Sequence, residues 1–166
     1  PAGTCARQFS GVYAYFWSLD QEQVLPLGQV SPRALLHHIA TSEFTNDNIT
    51  SMFDDRLAAE TIADLGGYIY NDDTSYWENN GLIQSYYKTP ESFYMSSGTQ
   101  SSALKLGSMS TAVYDKYNLR PVITTTFLSI DPLITNVITA TMDYQSMQIK
   151  QLEDINGNVT QCLFDA

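Results

Sequence analysis

The hydrophobic periodicity of the chain changes at Gly66-Gly67, and nothing else in the sequence constrains the fold as much. Apolar residues three to four positions apart bury one face of a helix, whereas alternation or dense β-branching buries a strand. Before the two glycines the spacing is mainly helical. Ser31-Pro32 reads as an N-cap with proline at the first helical position, and Leu35, Leu36, Ile39 and Ala40 then share a face to about Ser42. Thr45 or Asn46 can cap a next helix that groups Ile49, Met52 and Phe53. The stripe of Leu57, Ala58, Thr61, Ile62 and Leu65 is rotated from that one, so a break falls near Asp54, and Gly66-Gly67 closes the later helix. Residues 9–17 fit both periods. Phe9, Val12, Tyr13 and Phe16 share a helical face, their aromatic and β-branched content suits a strand, and helix is the preferred reading.

After Gly67 the chain reads as strands and turns. A short strand over 67–70 meets the polar turn Asn71-Asp72-Asp73-Thr74, and Asn79-Asn80-Gly81 is a turn signal before 82–87. Thr89-Pro90-Glu91 can cap one helical turn, and Ser110 another that runs to Tyr117. Residues 122–130 are rich in β-branched side chains, 134–152 are similar and long enough for a bend or bulge, and Asn156-Gly157 turns into 159–164. Those last segments form an antiparallel meander. Without a repeat or linker, the expectation is one domain over 1–166 of α+β class. Its N-terminal helices, about 1–66, would pack on one face of a C-terminal antiparallel β-sheet, about 67–166.

Two cysteines, Cys5 and Cys162, lie near opposite ends, and a disulfide between them would close almost the whole chain. The alternative is a pair of free thiols. Ser, Thr, Asn and Gln number 16, 16, 9 and 10, while charged residues are only 16%. Such a neutral polar balance, with the even cysteine count, suits an extracytoplasmic location: secreted, periplasmic or cell-surface. The start at Pro1 suits a processed product. Helices followed by a sheet tied by one terminal disulfide is similar in outline to the soluble domains of pilin-like subunits and periplasmic sensor ectodomains, with no shared motif.

The 8 Lys and Arg against 18 Asp and Glu give a net charge of −10, spread over both halves. No basic patch can displace counterions from nucleic acid or dock on anionic lipid, and no apolar run reaches a membrane span. No Gly-x-Ser-x-Gly elbow, CxxC pair or phosphate loop occurs. Asn71, Asp72, Asp73 and Glu78, and the run Asp154 to Asn158, place oxygens close together, but neither has the 12-residue spacing of an EF-hand, so no metal and no cofactor are expected. His37 and His38 are neighbours, about 100° apart on a helix, and cannot jointly hold an ion there.

Aromatic residues interleaved with Asn, Ser and Thr are the most informative group left. Tyr and Trp offer an apolar face and a polar tip, suited to sugars or protein surfaces, and the alternative is that they fill the core. Trp17, Tyr70, Tyr76, Trp77, Tyr86 and Tyr87 are the candidate ligand-binding residues. The expected function is non-enzymatic recognition of a partner protein, a subunit or a small or sugar ligand, with a homo-oligomer possible in a surface assembly. The alternative is a small α+β pocket enzyme pairing His37 or His38 with Asp131 or Asp143 for proton transfer.

Overall fold

The computed structural model describes residues 11–53, 56, 58–101, 109–130 and 133–164. It corrects the expected class: 48% is strand and 12% helical, in two antiparallel sheets with two short α-helices. The chain forms two compact units, one through Leu82 and one from Ile83 onward.

The first unit holds β1 (Val12–Phe16), β2 (Leu36–Phe44), α1 (Asn46–Phe53), α2 (Ala59–Asp64), β3 (Ile69–Asn71) and β4 (Tyr76–Asn80), its sheet ordered β1-β2-β4-β3. Two segments expected as helices are the strands β1 and β2. Ser31-Pro32 opens a tight turn instead of a helix: the Ala34 N–H donates to the Ser31 carbonyl at 2.9 Å, with Ala34 at φ 50°. The helical spacing of Leu36, Ile39 and Ala40 misled because β2 buries its polar residues. His37, His38 and Ser42 are buried, whereas Ile39 is 46% exposed. A register shift opposite Tyr15 and Phe16 makes His37 the extra residue of a bulge, which turns both histidines inward.

α1 forms where expected. The Asn48 N–H donates to Thr45 Oγ1 at 3.2 Å while Asn48 Oδ1 accepts from the Thr45 N–H at 3.0 Å, a reciprocal cap. The helices contribute Ile49 and Ile62 to a cluster with Trp77, joined by Phe44, Tyr68 and Tyr70. Trp77 Nε1 donates to Asn46 Oδ1 at 2.7 Å, so the buried indole has its hydrogen bond. Asn79 and Asn80 end β4 and are not a hairpin turn.

The second unit is a meander of seven antiparallel strands in chain order: β5 (Ile83–Tyr86), β6 (Ser96–Gln100), β7 (Met109–Tyr114), β8 (Pro121–Ile130), β9 (Leu133–Asp143), β10 (Gln148–Glu153) and β11 (Val159–Gln161). A 3-10 turn at Pro90–Ser92 forms where one helical turn was expected, without a side-chain cap bond from Thr89. The helix expected from Ser110 is β7, because Ser110 to Val113 pair with Thr126 to Ile123 of β8 on one side. β8 and β11 fall where strands were expected, whereas the single long segment expected over 134–152 is two strands, β9 and β10, separated by a turn at 144–147. The Asn156-Gly157 turn forms as expected, with Asp154 Oδ1 accepting from the Asn156 and Asn158 N–H groups. Gly157 takes φ +78° there.

Candidate functional site

The first unit contains an open cavity of about 490 Å³ between the β1–β2 loop and the β3–β4 turn. Tyr15 enters from β1, His38 from β2, Tyr70 and Asn71 from β3, Glu78 and Asn80 from β4, and Asp72 and Asp73 from the turn; Val24, Leu25, Pro26 and Ile69 complete the wall. Glu78 is the centre of its polar side. It is 3% exposed, and its carboxylate accepts from Asn71 Nδ2 at 3.0 and 3.1 Å and from Thr74 Oγ1 at 2.9 Å. Asn71 Nδ2 also donates to Tyr15 Oη at 2.7 Å, while Asn71 Oδ1 accepts from the Asp73 N–H and fixes the turn. Burial, and next the charge of Glu78, raise the Tyr15 hydroxyl above its ordinary value, so it stays protonated at neutral pH.

The histidines form an aromatic stack with their strand neighbours. Tyr15 and His38 lie parallel at 4.6 Å, and Trp17 meets His37 edge-on at 4.3 Å. The two Nδ1 atoms face each other at 2.5 Å, so one of them carries the hydrogen and the other accepts it. Burial, then His38, push the His37 imidazole down to about 4. Burial also lowers His38, opposed by Glu78 and Asn80. Both rings are therefore neutral at pH 7. Asp143 is bound into its own turn, accepting from Ser146 Oγ at 2.7 Å and from the Gln145 N–H. Asp131 lies outside the described residues.

Of the six aromatic candidates, Tyr70 alone lines the cavity. Trp77 is a core residue and Tyr76 is half-buried beside it on β4. Trp17 is not among the lining residues; it meets His37 edge-on and bridges to Val24, which does line the cavity. Tyr86 and Tyr87 belong to the second unit, where Tyr87 Oη donates to the Ala112 carbonyl at 2.7 Å and its ring meets Tyr114 edge-on. Sequence reading missed Tyr15, His38 and Glu78 as one site. The available signal was Asn71, Asp72, Asp73 and Glu78 in a short segment, which does converge here. No group of three His, Cys, Asp or Glu able to hold a metal occurs among the described residues. Cys162 is exposed with a free thiol, and Cys5 lies outside the described residues, so no disulfide is seen.

The second unit presents a different surface. Register puts Val113, Ile123, Thr125 and Val137 on one face of the sheet, and Ala112, Thr124, Ile138 and Ala140 on the other. Val137 and Ile138 are adjacent on β9 and point to opposite faces, yet each is 40% exposed. Val113 is 48% exposed, and Met142 is the one buried hydrophobic residue among the described part of this unit.

No family model and no curated protein matches the chain. Its fold is similar to part of two solved structures, the crystal structures of TcdB2-TccC3-Cdc42 and of TcdB2-TccC3 without the hypervariable C-terminal region. The TM-score is 0.68 in both, at 17% and 18% identity, covering 94% of this chain. The chain spans about 7% of the length of those chains. Both are complexes with protein partners, and at these identities the likeness is one of fold. No helix among the described residues is long and apolar enough to cross a membrane.

Proposed function

We propose that the chain is a non-enzymatic β-module that recognises a protein partner or subunit and serves as one layer of a larger assembly. One observation carries this reading: Val137 and Ile138 are each 40% exposed on opposite faces of one sheet. A sheet in a water-soluble domain buries at least one face under a second layer, because the apolar side chains of that face otherwise remain in water. Exposed apolar side chains on both faces of one sheet suit contact with another protein surface. That the fold recurs inside much longer chains bound to protein partners supports the reading. An extracytoplasmic setting belongs to the same proposal, supported by the neutral polar composition.

The test is sedimentation and ANS fluorescence of the purified chain beside a Val113→Thr, Val137→Thr, Ile138→Thr variant, which keeps β-branched side chains and so strand propensity. The wild-type chain is expected to bind ANS and to associate, and the variant to lose most of both with its far-UV dichroism unchanged. A wild-type chain that is monomeric and silent to ANS contradicts the proposal.

A further inference from the structure

We infer that the cavity of the first unit binds a weakly hydrated organic cation, an alkylammonium or guanidinium group, opposite Glu78. The central fact is a carboxylate 97% withdrawn from solvent and facing a cavity without a counter-charge. Its hydrogen bonds come from neutral groups, the Asn71 amide and the Thr74 hydroxyl, and no Lys or Arg is among the residues that line the cavity. What Glu78 lacks is positive charge. A buried carboxylate in that condition is stabilised by any cation that approaches it, and the low local dielectric lengthens the reach of the attraction. The neutral donors hold the carboxylate rigid, so a ligand finds its site already formed.

The rest of the wall selects the kind of cation. Tyr15 and Tyr70 are aromatic walls that favour a polarisable or alkylated cation over a strongly hydrated one. Val24, Leu25, Pro26 and Ile69 give apolar contact for an attached carbon chain. A metal ion would need several ligands bonded directly to it, and no group of three His, Cys, Asp or Glu able to supply them occurs among the described residues. Asp72 and Asp73 add negative charge at the exposed rim, which draws cations towards the opening. His38 on the same wall adds no opposing charge at neutral pH, because burial keeps it neutral.

Two sources supply this chemistry, a free amine or a Lys or Arg side chain of another protein. Calorimetric titration of the whole chain with tetramethylammonium, with the blocked amides of acetyl-lysine and acetyl-arginine, and with blocked glycine-flanked Lys and Arg peptides distinguishes them. Saturable binding is expected for cations and absent for tert-butanol, the neutral analogue of tetramethylammonium. Tighter binding of the peptides assigns the site to a protein side chain, and tighter binding of tetramethylammonium to a small molecule; both support the inference. Glu78→Gln is expected to weaken binding by about tenfold or more, and Tyr70→Leu by roughly two- to fivefold. Should Glu78→Gln fail to fold, Asp72→Asn with Asp73→Asn on the exposed turn is expected to weaken binding about two- to threefold. The inference is overturned by no saturable binding, by equal binding of tert-butanol, or by cation affinity unchanged in a folded Glu78→Gln chain. Calcium binding that depends equally on Glu78 overturns it as well.

Discussion

At the scale of single residues, the interior of the first unit is polar where a core is ordinarily apolar. His37, His38, Ser42 and Glu78 are buried beside Ala40 and Trp77. That inversion explains why Glu78 was legible in the sequence only as one of several acidic residues near a turn, and why the histidines read as surface groups. Nothing local to residues 37–38 reports that a bulge turns both side chains inward. It also makes stability pH-dependent. Unfolded histidines titrate near 6.5, while burial holds His37 down to about 4 and lowers His38. Below pH 6.5 the unfolded chain therefore takes up protons that the folded chain does not. Stability from this source is complete above about pH 6.5 and declines as pH falls towards 4, by on the order of 1–3 kcal/mol. Thermal melts at pH 7.5, 6, 5 and 4 should show Tm falling along that range, and His37→Gln with His38→Gln should flatten the fall. An acid limb equally steep in the double variant assigns it to groups other than these histidines.

At the scale of elements, the strand character from β8 to β11 was readable because β-branched residues and the Asn156-Gly157 turn give the same answer, while the turn that divides β9 from β10 was not. α1 was readable because Thr45 and Asn48 cap it locally. β2 and β7 were not, since each is decided by its partners. Leu36, Ile39 and Ala40 satisfy a helical spacing as well as a strand, and β1 and β4 on either side select the strand. β7 is a strand because β6 and β8 flank it. The β6–β7 contact also depends on one missing side chain. A Cβ at Gly98 would stand 2.4 Å from the Ser110 carbonyl oxygen, too close for any atom pair and against backbone. Gly98→Ala should therefore separate the two strands locally and cost about 1–3 kcal/mol, read as a lower midpoint in urea. An unchanged midpoint would mean that β6 and β7 are not paired in this register.

At the scale of the whole molecule, the expected layer of helices over a C-terminal sheet is replaced by two β-rich units, each with its own sheet. The sequence carries the C-terminal strands, misses β1, β2 and β7, and carries poorly what covers a strand. Val113, Val137 and Ile138 look like ordinary core positions, and only their exposure shows that the second unit presents them outward. Cys162 is exposed with a free thiol, and Cys5, the other half of the expected disulfide, lies outside the described residues. The same sheet has the composition for a protein contact, since its apolar positions are separated by Thr and Ser that remain compatible with water before assembly. Hydroxyl-radical footprinting of the dilute, isolated chain against the same chain in its proposed assembly tests this most directly. Val113, Val137 and Ile138 should react in the isolated chain and be protected in the assembly, on one face or both. Equal reactivity in the two states, at all three positions, would contradict a role for this sheet as a contact layer.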